Sequence, residues 1–221
     1  MPSSSVLERE LVSLKEKILK MGTLVEEQIA TSIKSYATRD VPLARQTIQN
    51  DHVVNGMDVE VDEECIRMLA LYQPTARDLR LITTAMKIAT DLERMSDLSE
   101  DICERTLELA EEEPLAKSIN EIGLMATLSQ KMVREALDAF VHQDAALARK
   151  VCANDQLVDD LMEKVFKGLL ADMIADSTII PRAIRVSFIA KYIERIADHA
   201  TNIAEVVVYM IEGKIIRHTT V

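Results

Sequence analysis

The chain of 221 residues contains no tryptophan, three phenylalanines and four tyrosines, which leaves it short of the aromatic residues that favour pleated sheets. Glycine and proline are also scarce, five of each, and a loop-rich fold needs both at its turns. The three cysteines, Cys65, Cys103 and Cys152, stand far apart with no C-x-x-C pair. That excludes a zinc knuckle and a disulfide framework and leaves reduced, packed thiols. No apolar run is long enough to span a bilayer, the longest near the C-terminus being "VVVYMI" (206–211), and "MPSSSVLERE" lacks the basic-then-apolar pattern of a signal peptide. A cytoplasmic location is the expectation. Gly-rich phosphate loops, nucleophile elbows and Ser/Cys–His signatures are missing, so no nucleotide site or covalent catalyst is indicated.

Positive charge is in deficit. With 37 acidic against 26 basic residues the formal net charge is −11, and such a field repels phosphate backbones and anionic membranes. Nucleic acid is not expected as a partner, a local basic patch being the one escape from this average, and the membrane is expected to be reached only through other proteins. Metal cations and basic protein surfaces fit better.

Apolar residues are plentiful and helically spaced. Leu7, Leu11, Leu14, Ile18 and Met21 recur at intervals of three and four, the pattern of an amphipathic helix, and a core of Leu, Ile, Val, Ala and eleven Met suits packed helices. Breaks at 38–42, 72–75, 111–118, 141–146 and 175–181 predict six helices, over 5–38, 42–71, 74–111, 115–141, 145–175 and 179–213. Each proline at a break is expected in the first turn of the helix that follows, where its missing N–H costs nothing.

The six helices are two copies of three. "ATRDVPLARQTIQND" (37–51) aligns with "VHQDAALARKVCAND" (141–155), matching Asp40 to Asp144 and Asp51 to Asp155; "DLERMSD" aligns with "YIERIAD", matching Glu93 to Glu194. Duplication with short connections predicts an all-α fold of two tandem up-down-up three-helix bundles, residues 1–112 and 113–221.

The repeated Glu-Arg-x-x-Asp segments carry the candidate chemistry. At about 100° per residue, Asp97 falls about 40° from Glu93, on the same stripe as Ile82, Met86 and Ala89. Glu194 and Asp198 share their stripe with Ala183, Ser187 and Ala190. In an antiparallel hairpin turning at Pro74, Asp51 lies level with Asp97 and Asn55 with Glu93. A turn between Asp176 and Ser177 likewise levels Asp155 with Asp198 and Asp159 with Glu194. Each repeat thus gathers four oxygen-bearing side chains, a costly crowding unless a cation is bound. Asp101 and Asn202, one turn further along, are secondary candidates, as are Arg94 and Arg195.

The donors are hard oxygens. The residues three before His52, His142, His199 and His218 are Gln49, Ala139, Ile196 and Ile215, so no Glu-x-x-His pair exists, which argues against a ferritin-like di-iron oxidase. Mg, Ca, Mn and carboxylate-bridged Fe stay open. A plainer reading pairs the acids with Arg94, Arg195, Arg77, Arg80, Arg182 or Arg185 in interhelix salt bridges, making the chain a scaffold. A third reading is a carboxylate-bridged metal protein, an iron store or an oxidase. His52 and His199 each follow a candidate ligand by one residue and are expected to point elsewhere.

The pattern resembles the PhoU family of accessory regulators of phosphate-specific transport in bacteria. The residues that carry it are "MGTLVEEQI" (21–29), "QPTARDLRLI" (73–82), "DLERMSD" (91–97) and "IERIADHATNIAE" (193–205). The resemblance implies a homodimer and metal sites at E(D)-x-x-x-D motifs, here Glu93/Asp97, Glu194/Asp198, Asp155/Asp159 and, with one acid replaced, Asp51/Asn55. The ions it implies are divalent or ferric: Fe, Mg, Mn, Ca or Zn. Ser96 and Ala197 stand where many members carry glycine. By the same resemblance the protein is not an enzyme. It is expected to act as a cytoplasmic adaptor between the ATPase subunit of the phosphate ABC transporter and the phosphate-sensing histidine kinase, restraining uptake and the starvation response.

Overall fold

In the computed structural model, residues 4–115 and 119–216 are described. They form α1 (Ser4–Thr38), α2 (Val41–Tyr72), α3 (Ala76–Leu109), α4 (Ile119–His142), α5 (Ala145–Ala175), a single 3-10 turn (Ser177–Ile179) and α6 (Ile180–Glu212). The fold is all-α, with three helices in each repeat.

The turn chemistry is duplicated atom by atom. Arg39 and Gln143 both take left-handed backbone angles (φ 56° and 54°), which let the next amide reach back, Asp40 N–H to Ser35 O and Asp144 N–H to Ala139 O, both at 2.9 Å. The following aspartates then cap their helices: Asp40 accepts from Leu43 N–H at 3.0 Å and Asp144 from Leu147 N–H at 2.9 Å, each satisfying an amide that the first turn leaves unpaired.

Two prolines depart from the expected placement. Pro42 and Pro181 do lie in first turns, but Pro74 precedes α3. Gln73 ends α2 in the left-handed region, its N–H on Leu69 O; the residue before a proline avoids the helical region, and Thr75 is extended (φ −120°, ψ 156°), so α3 begins only at Ala76. Pro114 likewise precedes α4, whose expected start at 115 is followed by residues 116–118, outside the described set.

Within each repeat the third helix packs on the other two, α3 on α1 and α2, and α6 on α4 and α5. The repeats then meet through α3 against α6 and α1 against α4. Three antiparallel rungs fix the register of α3 and α6: Arg80 Nε donates to Met210 O at 3.0 Å, Thr84 Oγ1 to Val206 O at 3.5 Å, and Asp91 meets His199 at 2.9 Å. These two helices carry the longest runs of buried residues, from Leu81 to Thr106 and from Ala183 to Met210. Apolar side chains of all six helices join one hydrophobic cluster, and burial of this kind is the main stabilising term of the fold. Among the described residues no helix is long and apolar enough to cross a membrane.

Candidate functional site

The first acidic seam lies between α2 and α3. Asp51, 7 % exposed, is fixed by two neighbours: Asn55 Nδ2 donates to its Oδ2 at 2.7 Å and Ser96 Oγ to its Oδ1 at 2.6 Å. Ser96 Oγ also lies 2.6 Å from Gln28 Oε1. A hydroxyl has one proton to give. The carboxylate takes it, and the Gln28 amide, turned to present its NH2, donates to Ser96 in turn. The Ser96 hydroxyl thus ties α1, α2 and α3 together at the seam.

Glu93 and Asp97 flank this network. Burial first, then the Asp97 charge, pushes the Glu93 carboxyl above its ordinary value, against the pull of Arg94, with Asp58 and Asp51 adding to the rise. Asp97 rises through burial and Asp51, again opposed by Arg94. Arg94 stays at the outer edge, its guanidinium 3.6 Å from Glu93 Oε2 and 3.7 Å from Asp97 Oδ2, too long for strong ion pairing.

The second seam lies between α5 and α6. Asp155 is the most perturbed acid there, pushed up to about 6 by burial and then by Asp198, Asp159 and Glu194, with the Thr201 hydroxyl pulling the other way. Asp159 rises through burial and Glu194, and Asp198 through burial and Glu194, with Lys191 opposing both shifts. The four carboxylates are therefore close enough to repel one another. Lys191 holds Glu194, at 2.7 Å from Oε1 and 2.5 Å from Oε2.

The other arginines expected as rivals go elsewhere. Arg77 donates to Gln143 and Arg80 to Met210 O. Arg182 donates to Glu113 O and approaches Glu112, while Arg185 pairs with Glu108 and Glu112. None compensates a seam. Of the secondary candidates, Asn202 Nδ2 lies 3.3 Å from Asp91 Oδ1 in the α3–α6 interface, while Asp101 is raised by burial, by Glu104 and by Asp97 of the first seam and lowered by Arg105 and Arg195. His199 joins Asp91 on that interface; exposed His52 turns back to Gln49 O.

Three contributors escaped sequence reasoning. Lys191 sits three residues before Glu194 and was passed over because the matching residue in the first repeat is Thr90. Asp58 continues the stripe of Asp51 and Asn55 at helical spacing, but its counterpart is Met162, so a search by repeats missed it. Glu100 is raised by burial and Asp51; one turn past Ser96 on α3, it was legible from spacing alone.

Among the described residues no group of three or more His, Cys, Asp or Glu side chains converges in a form that holds a metal ion. The donor set nonetheless fits a hard cation: carboxylate and amide oxygens predominate, neighbouring acids raise Glu93 and Asp97 in the first seam and Asp155, Asp159 and Asp198 in the second, and Asn55 Oδ1 and Asp58 Oδ1 are buried acceptors without a hydrogen-bond partner. Such acceptors carry a desolvation cost that a cation offsets.

Comparison with known proteins bears on the whole chain. The PhoU domain matches twice, over residues 18–106 and 122–207. The chain is 42 % identical to the phosphate-specific transport system accessory protein PhoU homolog of Aquifex aeolicus (strain VF5) over 210 residues, 95 % of each chain. It is 36 % identical to phosphate-specific transport system accessory protein PhoU of Escherichia coli (strain K12) over 211 residues, 95 % of this chain and 86 % of that one. The fold superposes on the crystal structure of PhoU from Pseudomonas aeruginosa with a TM-score of 0.91 at 38 % identity, covering 94 % of this chain and 99 % of that one.

Proposed function

The chain belongs to the PhoU family, and from that premise we propose that it is a non-catalytic cytoplasmic regulator of phosphate uptake and of the phosphate-starvation response. It acts as an adaptor, presenting helix faces to the ATPase subunit of the phosphate ABC transporter and to the phosphate-sensing histidine kinase, and it works as a homodimer. The observation that supports this most is the relationship running through both repeats over 95 % of the chain, with relatives whose names place them in phosphate-specific transport.

The seams supply a physical means of regulation. Asp51, Asn55, Glu93 and Asp97 hold one cation site, and Asp155, Asp159, Glu194 and Asp198 the other. A bound cation neutralises the crowded carboxylates. The residues themselves set how firmly α2 is held to α3 and α5 to α6: Ser96 and Asn55 position Asp51, while Lys191 holds Glu194 until a cation competes for it. Asn55 brings one negative charge fewer than Asp159, so the first site is the weaker binder.

Removal of the protein from its bacterium tests the reading. Expression of a phosphate-starvation reporter should rise in phosphate-rich medium and return to its low level when the chain is restored. Unchanged expression in the deletion strain would overturn the regulatory role.

A further inference from the structure

In a molecule of net charge −11, Arg77 and Arg80 in the first turns of α3 gather with Lys15 of α1 and no carboxylate answers them. None of these cations makes an ion pair among the described residues, while Lys17, Arg67 and Arg149 each hold a glutamate. Gly22 of α1 faces Leu137 of α4 and Glu26 meets Arg134 at 3.1 Å, so these two helices run antiparallel. Lys15 then lies level with the α4–α5 turn, where Gln143 Oε1 accepts from the Arg77 guanidinium. Burial and the Arg77 charge both lower the Lys15 pKa from its ordinary value, the mark of like charges held close. The acids nearest in sequence are engaged or turned aside. Asp144 caps α5 through Leu147 N–H, while Asp78 and Glu16 each lie about 100° round their helices from Arg77 and Lys15.

A cleft of about 230 Å³ opens at this cluster, lined by Arg77, Leu81, Gln143, Met210 and Ile211. It is smaller than the roughly 300–1,000 Å³ that holds a drug-sized ligand, and no aromatic ring lines it for a base to stack on. What it offers is donors. Gln143 gives its oxygen to Arg77, which leaves its amide NH2 free to donate. Arg80 holds the Met210 carbonyl at 3.0 Å and Gly213 N–H holds Tyr209 O at 2.9 Å, so these carbonyls at the end of α6 are occupied. Ala76 takes a left-handed backbone angle (φ 46°) directly before helical Arg77, a succession that turns consecutive amides into an anion-binding concavity, and Thr75 supplies no side-chain cap to fill it. The fold does not require the cluster: at the offset that aligns Glu93 with Glu194, Thr178 and Pro181 stand in place of Arg77 and Arg80.

We propose that this cleft between α3 and the α4–α5 turn binds a small oxyanion of the phosphate class. The Arg77 fork, which matches pairs of oxygens, and the Gln143 amide contact the ion, and Lys15 and Arg80 supply charge at its rim. Arg77 belongs to the first repeat and Gln143 to the second. A bound anion therefore ties the repeats together at this end and relieves the repulsion between Lys15 and Arg77. The assignment goes beyond the proposed function, needs no metal and stands apart from the acidic seams.

Titration of the metal-free full chain with inorganic phosphate at constant ionic strength, read by calorimetry and by amide chemical shifts, tests the site. Binding should saturate, with the shifts concentrated at Arg77, Gln143 and Ile211. Sulfate should compete, and chloride at equal ionic strength should not. Arg77→Met should weaken phosphate binding about 10-fold or more, Gln143→Glu should abolish saturation, and Lys15→Met should act in the same direction more mildly, all with unchanged far-ultraviolet circular dichroism spectra. Arg45→Gln, at an exposed arginine of α2, should bind like the wild-type chain. No saturable phosphate binding by the wild-type chain, or chloride acting as phosphate does, overturns the site. An equal loss in Arg45→Gln, or undiminished binding in both Arg77→Met and Gln143→Glu, overturns it as well, because phosphate then answers to overall charge.

Discussion

Gly22 lies where α1 of the first repeat crosses α4 of the second. A Cβ at this position would sit 2.6 Å from Leu137 Cδ1, 3.3 Å from Cδ2 and 3.5 Å from Cγ, and Leu137 is 4 % exposed, with little free volume to retreat into. Two opposed effects decide the outcome of Gly22→Ala. Alanine is favoured over glycine inside a helix by about 1 kcal/mol, while forcing a methyl group into a packed core costs about 1–3 kcal/mol. The clash wins by about 1 kcal/mol, which for a chain of this size lowers the melting temperature by about 3 °C. In a Leu137→Ala background the obstruction is gone, and the same Gly22→Ala change should raise the melting temperature by a similar amount. Calorimetry of the four proteins in the cycle reads this change of sign directly. If Gly22→Ala stabilises the protein with Leu137 in place, the two repeats are not packed through α1 and α4 as described.

Ser96→Ala removes the donor to Asp51 Oδ1 and leaves a buried carboxylate short of a partner, which should cost about 1–3 kcal/mol in chemical denaturation; Ser96→Thr should recover part of that loss. Arg39 donates to the carbonyls of Leu109, Ala110 and Glu112 at the end of α3, so Arg39→Met should speed amide exchange in the last turn of α3 before it changes the global unfolding midpoint. In metal-free protein, Asp155 with its pKa of about 6 keeps its proton at pH values where the unfolded chain has lost it. The native state then binds more protons, and stability must rise as pH falls through 6 toward the ordinary carboxylate range. With solvent screening the gain is on the order of 1 kcal/mol, and Asp155→Asn should shrink the difference between urea midpoints at pH 7 and pH 5. A larger difference in the variant contradicts the cause given for the shift.

What the sequence discloses is what repeats and what obeys local chemistry. Asp40 and Asp144 announce their caps because an aspartate before an apolar periodic run satisfies first-turn amides wherever it occurs. The level-matching of Asp51 with Asp97 follows from equal rise per residue on both arms of a tight hairpin. The pairing of α3 with α6 leaves no such trace. Ala, Val and Ile on those helices are buried whichever helix covers them, and the rungs from Asp91 to His199 and from Arg80 to the Met210 carbonyl join positions more than a hundred residues apart with no repeat to align them. Asp58 and Lys191 escaped for the opposite reason: a reading guided by duplication looks where the copies agree, and these residues stand where they differ.

The functional account turns on whether the level-matched carboxylates take up a cation. Calorimetric titration of metal-free protein with Mn²⁺, alongside the Glu194→Ala with Asp198→Ala variant, measures this most directly. The account predicts saturable uptake by the wild-type chain, loss of the tighter component in the variant with the weaker one at Asp51, Glu93 and Asp97 retained, and a melting temperature that rises with Mn²⁺ only where binding survives. No uptake by the wild-type chain, or identical isotherms for the two proteins, would contradict it.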